Sequence, residues 1–285
     1  MTRIADLHLH STLSDGTESV EQVVVAAFHA GMDVLAITDH DTVRGWPRAN
    51  EIARAHGITA VSGLEMSTRC EGNDVHVLGY GVDPEHTGLQ SELERIRSGR
   101  IERVRNMVER IAEIHPIRWD DLIAHTVDAD AIGRPHIADA LVRAGIVADR
   151  SEAFSTLLSD DSPFAKKAYL PSTPTAIGLI REAGGFPVVA HPASRMSRGI
   201  TDPQRFRSWR DAGMLGIEVF HREHSASDET RLLSIAIELD LVTTGGSDYH
   251  GSGKPNRIGE KVTRGPALDA ILAFVRPAYG GQCRS

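Results

Sequence analysis

The chain has 285 residues, 41% of them hydrophobic and 25% charged, with 31 Lys and Arg against 39 Asp and Glu for a formal net charge of −8. This is the make-up of an ordinary globular protein, which excludes a disordered chain, a coiled coil and a collagen-like repeat. The negative balance also makes a poor non-specific nucleic-acid binder, because phosphate neutralisation supplies most of that affinity.

From the N-terminus, Arg3–His8 reads as a strand. The opening MTRIADLHLH is interrupted too early by His and Asp to be a signal peptide. Ser19 and Gln22 are spaced as a capping box, and Val20, Val23, Val24 and Ala27 mark the apolar face of a helix stopped by Gly31. Val34–Thr38 is a buried-type strand, Pro47–His56 a helix ended by Gly57, and Ile58–Gly63 and Asp74–Gly81 are further strands. From Gly88 to Ala168 no strand is evident. Helices are expected at Gln90–Ile114, Trp119–Thr126, Pro135–Ala144 and Ser151–Leu158. Alternation resumes with a helix at Thr173–Ala183, strands at Pro187–Ala190, Gly216–Phe220 and Leu241–Gly245, and helices at Pro203–Ala212 and Ser227–Leu239. The tail GGQCRS is expected to fray. Near-continuous apolar strands alternating with helices predict a parallel sheet covered on both faces. The expected fold is α/β, with seven strands and one all-α insertion. Two cysteines, Cys70 and Cys283, cannot build a disulfide framework, and no apolar run approaches the roughly 20 residues of a membrane span. A cytoplasmic setting without a membrane partner is expected.

The unusual count is 14 His, which with only two Cys points to nitrogen and oxygen metal ligands. These residues fall at strand ends. His8 and His10, two apart, share one side of the first strand, and Asp15 follows in its loop. The second strand ends in Thr38-Asp39-His40-Asp41 and the third in Gly63-Leu64-Glu65; the fourth carries His76. The fifth ends in His191-Pro192, the sixth carries Glu218 with His221 and His224 beyond it, and the last leads into Ser247-Asp248-Tyr249-His250. In parallel α/β proteins that rim is where active sites sit. A single His there is most simply a hydrogen-bonded His. Burying all of these carboxylates and imidazoles together without a cation would be costly.

The motifs DLHLHSTLSDG, AITDHD, GLEMS, AHP and SDYH together resemble the polymerase-and-histidinol-phosphatase (PHP) family of metal-dependent phosphoesterases. The helical insert, with GRPHIADAL and KKAYLPS, is similar to the branch acting on 3′,5′-nucleoside bisphosphates and short RNA. The resemblance implies a distorted seven-stranded β/α barrel, with residues 1–87 and 169–285 forming the catalytic barrel and 88–168 the insertion. It implies two to three divalent metals: Mn²⁺, Zn²⁺ or Fe²⁺. His8, His10, Glu65 and Asp248 would hold the first. Glu65, as a bridge, with His76 and His191 would hold the second, and Asp15, His40 and His250 the third. The expected reaction is phosphate-ester hydrolysis by a metal-bridging hydroxide, without a protein nucleophile. Three divalent cations against three carboxylates leave local positive charge to recruit a phosphate ester despite the negative chain.

By the same resemblance, Arg134, Lys166 and Arg195 are phosphate clamps and His224 contacts phosphate or protonates the leaving group. Arg134 precedes a helix start, itself suited to an anion. Glu218 is expected to orient a ligand His. His221 and Asp41 have no assigned role. The expected substrates are a small nucleotide, such as adenosine 3′,5′-bisphosphate, and short RNA trimmed 5′ to 3′, with no obligate protein partner. Alternatives are a phosphatase for histidinol phosphate or another small monoester, a metal-dependent amidase, and a non-catalytic metal-binding module.

Overall fold

Strands β1 (Ile4–Leu9), β2 (Val34–Ile37) and β3 (Thr59–Cys70) are joined by α1 (Val20–His29) and α2 (Trp46–Ala55). They pair in parallel, as the alternation predicts. The computed structural model describes residues 3–125, 132–159, 161–165, 167–197 and 200–279. Ser19 caps α1 through a capping box with Gln22, whose side-chain oxygen accepts the Ser19 amide at 2.8 Å.

Strand β4 (Asn73–Tyr80) departs from the expected parallel order. It follows β3 through Glu71 and Gly72, both at positive φ (48° and 88°), and pairs antiparallel. A two-residue turn with both residues left-handed is the connection whose twist matches a hairpin. β3 also runs well past Gly63, where the sequence places its end, so Glu65 lies inside a strand. After β4 come α3 (Thr87–Ala112), α4 (Trp119–Ile123), α5 (Arg134–Arg143) and α6 (Arg150–Ser155). Alternation returns with α7 (Thr173–Glu182), β5 (Phe186–Ala190), α8 (Pro203–Asp211), β6 (Gly216–Phe220), α9 (Ala226–Glu238) and β7 (Val242–Gly245). Two elements were not anticipated, β8 (Thr263–Arg264) and α10 (Gly265–Tyr279). The expected frayed tail, residues 280–285, lies outside the described residues, as does Thr126.

The sheet has eight strands, one more than expected, in the order β7-β6-β5-β4-β3-β2-β1-β8. Thr263 Oγ1 joins the two edges, donating to Gly245 O and accepting from Gly245 N, each at 2.9 Å. The result is a nearly closed mixed α/β barrel. One apolar cluster gathers Ala5, Leu7, Val34, Ala36, Val61, Leu78, Tyr80 and Val188 against Leu268, Ile271, Leu272 and Val275 of α10. The opposite faces of the strands carry the helices: Leu9, Leu35 and Ile37 pack with α1 and α2, while Leu64, Met66, Val75 and Val77 pack with α3, α7, α8 and α9. The ladder register shifts between Asp6 and Leu9. Such an irregularity re-aims side chains; here Leu7 joins the enclosed cluster, Leu9 the outer one, and His8 and His10 are left together. A fourth cluster belongs to the helical segment, with Val104, Met107, Val108 and Ile111 of α3 packed on Ile137 and Leu141 of α5. Among the described residues no helix is long and apolar enough to cross a membrane.

Candidate metal centre

The strands and the loops that follow them bring all nine sequence-nominated ligands into one largely buried cluster. Glu65 is its middle. Its Oε2 lies 3.2 Å from His8 Nε2, 3.1 Å from His10 Nε2 and 3.4 Å from His40 Nδ1. Its Oε1 lies 2.8 Å from His76 Nδ1 and 3.1 Å from His191 Nε2. A carboxylate presenting its two oxygens to two different sets of imidazoles is arranged as a bridge. Asp248 Oδ1 stands 3.5 Å from His8 Nε2 and 3.4 Å from His10 Nε2. Asp15 Oδ1 is 3.1 Å from His250 Nε2, and its Oδ2 is 3.8 Å from His40 Nε2.

Three groups have ligand atoms all within 4.8 Å of one another: His8, His10, Glu65 and Asp248; His10, Asp15, His40 and His250; and His40, Glu65 and His76. The first coincides with the first expected set. The second adds His10 to the third expected set. In the remaining group His40 stands where His191 was expected, although His191 keeps its own contact with Glu65.

The donor chemistry fits cations. His8 Nε2, His10 Nε2, His40 Nδ1, Glu65 Oε2 and His250 Nε2 are buried without hydrogen-bond partners. Buried polar atoms are normally satisfied, and these are the atoms a divalent ion would engage. Imidazole with carboxylate suits Mn²⁺, Zn²⁺ and Fe²⁺ alike. The electrostatics agree. Burial opposes charge on His8, but Glu218, Glu65 and Asp248 outweigh it and raise its pKa well above the usual range. His10 is raised to about 9 against burial by Asp248 and Glu65. Burial would push the carboxyls of Glu65 and Asp15 up; the surrounding imidazoles instead hold both well below the usual range.

Side chains behind the ligands set their orientation. Glu218 accepts from His8 Nδ1 at 2.9 Å and from the His191 amide at 2.9 Å, which fixes the His8 tautomer. Asp39 accepts from Ser11 N and Oγ and from Ser14 Oγ at 2.6–2.7 Å, holding the loop that carries Asp15. A Cβ on Gly246 would stand 2.4 Å from His8 Cβ, so only glycine fits there. His191 (φ 26°) and Asp248 (φ 53°) are both left-handed, and strain of this kind clusters at functional sites.

The expected substrate contacts fare unevenly. Arg134 lines a cavity of about 340 Å³ with Arg69, Arg103, Lys167, Asp74 and Asp161. Asp74 precedes His76 by two residues, so the cavity begins about 7 Å along β4 from the centre. Lys166 lies outside the described residues. The Arg195 side chain is 94% exposed, with Nε 3.7 Å from Glu223. His224 is engaged at both nitrogens, Nδ1 bonding Val219 O at 2.8 Å and Nε2 accepting the Ala193 amide at 3.2 Å. That arrangement braces the loop after His191 and leaves no ring nitrogen for a phosphate. His221 Nε2 faces Asp248 Oδ2 at 3.6 Å.

Two further side chains stand beside Asp248 and Ser247. Lys254 Nζ pairs with Asp248 Oδ2 at 2.7 Å, and Asn256 Nδ2 donates to Ser247 O at 2.7 Å. Both stand in GSGKPN, directly after the last ligand, which was the available signal. Arg103, on α3, lines the cavity with a buried Nε that lacks a partner. Burial, with Arg134 and Arg100 nearby, lowers its pKa to about 10.

The PHP domain family matches over residues 6–98. The chain is 34% identical to a 3′,5′-nucleoside bisphosphate phosphatase of Chromobacterium violaceum, over 88% of this chain and 89% of the relative. It is 32% identical to a 5′-3′ exoribonuclease of Haemophilus influenzae, over 88% and 91%. It is 31% identical to a phosphoribosyl 1,2-cyclic phosphate 1,2-diphosphodiesterase of Eggerthella lenta, over 91% and 99%. Among solved structures, one described as a metal-dependent phosphoesterase from Bifidobacterium adolescentis superposes with a TM-score of 0.91 at 38% identity, covering 95% of this chain and 96% of that one.

Proposed function

The chain belongs to the PHP family of metal-dependent phosphoesterases, enzymes that hydrolyse phosphate esters, and from that premise we propose that it removes the 3′-phosphate of 3′,5′-nucleoside bisphosphates, with 5′-to-3′ trimming of short RNA as a related reaction. The observation carrying this reading is the pairing of two anion-seeking sites. One is the cluster around Glu65; the other is the cavity where Arg69, Arg103, Arg134 and Lys167 outnumber Asp74 and Asp161. Arg69 pairs with Asp74 at 2.9 Å, and four cations against two carboxylates leave the lining with a positive excess. A substrate with one phosphate to hydrolyse and a second to hold matches such a pair.

His8, His10, Glu65 and Asp248 would hold one metal; Glu65, His76, His191 and His40 a second; and His10, Asp15, His40 and His250 a third. Bound divalent ions lower the pKa of water to about 7 and polarise phosphoryl oxygens. Glu65 keeps the two ligand sets at one spacing, and Glu218 keeps His8 Nε2 turned inward. Arg134 and Lys167 orient the second phosphate, so that the reacting ester lies in line at the cluster. Residues 1–87 and 169–285 serve as the catalytic barrel and 88–168 as the segment contributing substrate contacts. The setting is the cytoplasm.

The test is phosphate release with Mn²⁺ from adenosine 3′,5′-bisphosphate, compared with p-nitrophenyl phosphate and histidinol phosphate. A kcat/KM at least about tenfold higher for the bisphosphate supports the reading, since about 1.4 kcal/mol of extra transition-state binding gives that ratio. Preference for a monoester lacking the second phosphate refutes it. Arg134→Ala is expected to raise KM for the bisphosphate with little change in kcat, the pattern of lost uniform binding.

A further inference from the structure

Asp41, directly after His40, is a buried acid that the metal centre does not use. It is fully buried and left-handed (φ 54°), a conformation a non-glycine residue keeps only when its surroundings over-determine it. Its amide donates to Glu65 O at 3.0 Å. Its carboxylate accepts from Ser67 N at 2.7 Å and Ser67 Oγ at 2.9 Å, and Ser67 stands opposite His76 in the hairpin. Asp41 thus adjoins His40, bonds β3 at Glu65 and Ser67, and through Ser67 reaches the register of His76.

The other side of Asp41 belongs to α3. Arg97 Nη1 donates to its carbonyl at 2.6 Å, and Arg100 forms an ion pair with its carboxylate. These two arginines lie where α3 changes partners. Leu89, Leu93 and Ile96 before them pack into the barrel's outer cluster, while Val104, Met107 and Ile111 after them pack into the helical segment's own core. Arg103, one turn beyond Arg100, reaches the cationic cavity. At that crossover Arg97 and Arg100 tie α3 directly to the residue that follows the ligand His40.

We propose that Asp41 is a positioning residue, a latch through Arg97 and Arg100 that sets the distance between the metal centre and the anion-holding cavity on α3. Removing one partner of a buried ion pair leaves the other charge uncompensated, so Asp41 and Arg100 act as a unit. Its effect on catalysis rests on the bisphosphate reading above, because only a substrate spanning both sites senses their separation.

The experiment uses the full-length, Mn²⁺-loaded protein with Arg100→Met and, as the conservative control, Arg100→Lys. Arg100 touches neither the ligands nor the cavity. For Arg100→Met, KM for adenosine 3′,5′-bisphosphate is expected to rise about tenfold, because the cavity is no longer held in place. Kinetics on p-nitrophenyl phosphate and bound metal per chain stay within about twofold of wild type, and Arg100→Lys recovers most of the loss. Amide hydrogen exchange across 87–112 is expected to speed up while β1 and β2 stay protected. Equal losses on both substrates would mean that Arg100 supports the fold alone and would overturn the latch. So would unchanged exchange in α3. If the wild type fails on the bisphosphate, the substrate reading falls, and the exchange measurement still decides the latch.

Discussion

With the centre stripped of metal, His10 keeps its proton to about pH 9, because Asp248 and Glu65 outweigh the burial that opposes its charge. An imidazole raised above its ordinary 6.5 stabilises the fold below that value, and the stabilisation is lost as pH climbs through about 9. A metal ion needs the same nitrogen unprotonated, so proton and metal compete. Metal affinity is therefore expected to rise between pH 7 and about 9, with proton release on binding. Calorimetric titration of Mn²⁺ into stripped protein, in buffers of different ionisation heat, reads both quantities; a pH-independent affinity with no proton release contradicts the assignment of His10. Glu218 makes a second residue-scale case, since its carboxylate fixes the His8 tautomer at 2.9 Å. Glu218→Gln is expected to weaken metal binding or activity by about 10- to 100-fold, the usual cost of losing such a partner. Metal content after dialysis checks it, and retention equal to wild type tells against it. At this scale the sequence was most legible, because ligands at strand ends are written as i, i+2 pairs and short polar triplets. Lys254 and Asn256 were not legible, because their roles depend on a loop folding back onto Asp248.

The elements missed or misplaced have physical reasons. The apolar run predicts an end to β3 at Gly63 because Glu65, Ser67 and Arg69 break it; in the barrel those polar side chains face the centre and its rim. The hairpin turn rests on Glu71 at positive φ, for which glutamate gives no sequence signal. β8 is two residues long, too short to carry a period. α10 did carry one: Leu268, Ile271, Leu272 and Val275 fall at helical spacing, yet a long ligand-bearing loop separates it from β7. Its apolar face closes the enclosed cluster against Ala5, Val34 and Val188. Ile271→Ala, at a fully buried position, is expected to cost about 2–5 kcal/mol of stability. Urea unfolding of the metal-loaded protein measures this, and an unchanged midpoint contradicts the sealing role of α10.

At the scale of the whole molecule, the ligands come from β1, its following loop, the ends of β2 and β5, the interiors of β3 and β4, and the loop after β7. A cation there would draw together almost the full circumference of the barrel, from β1, next to the β8 edge, round to the loop after the β7 edge, the two edges that Thr263 also links. The unfolded chain cannot gather nine such side chains, so metal binding acts almost wholly on the folded state, and its free energy adds to stability by mass action. At a free metal concentration of about 100 times Kd the gain is about 2.7 kcal/mol per independent site. For a chain of this size that corresponds to a Tm rise of roughly 4–5 °C. Stripping the protein with a chelator, dialysing the chelator away and adding Mn²⁺ back in steps is therefore expected to lower and then restore Tm, with the midpoint climbing as the logarithm of free metal. Asp15→Ala removes a ligand of one group alone and is expected to shrink that climb without abolishing it, because the two groups that share Glu65 remain. Scanning calorimetry of the wild type and of Asp15→Ala checks both expectations. A Tm that ignores metal while elemental analysis finds the ion bound would mean that the cluster binds without bracing the barrel.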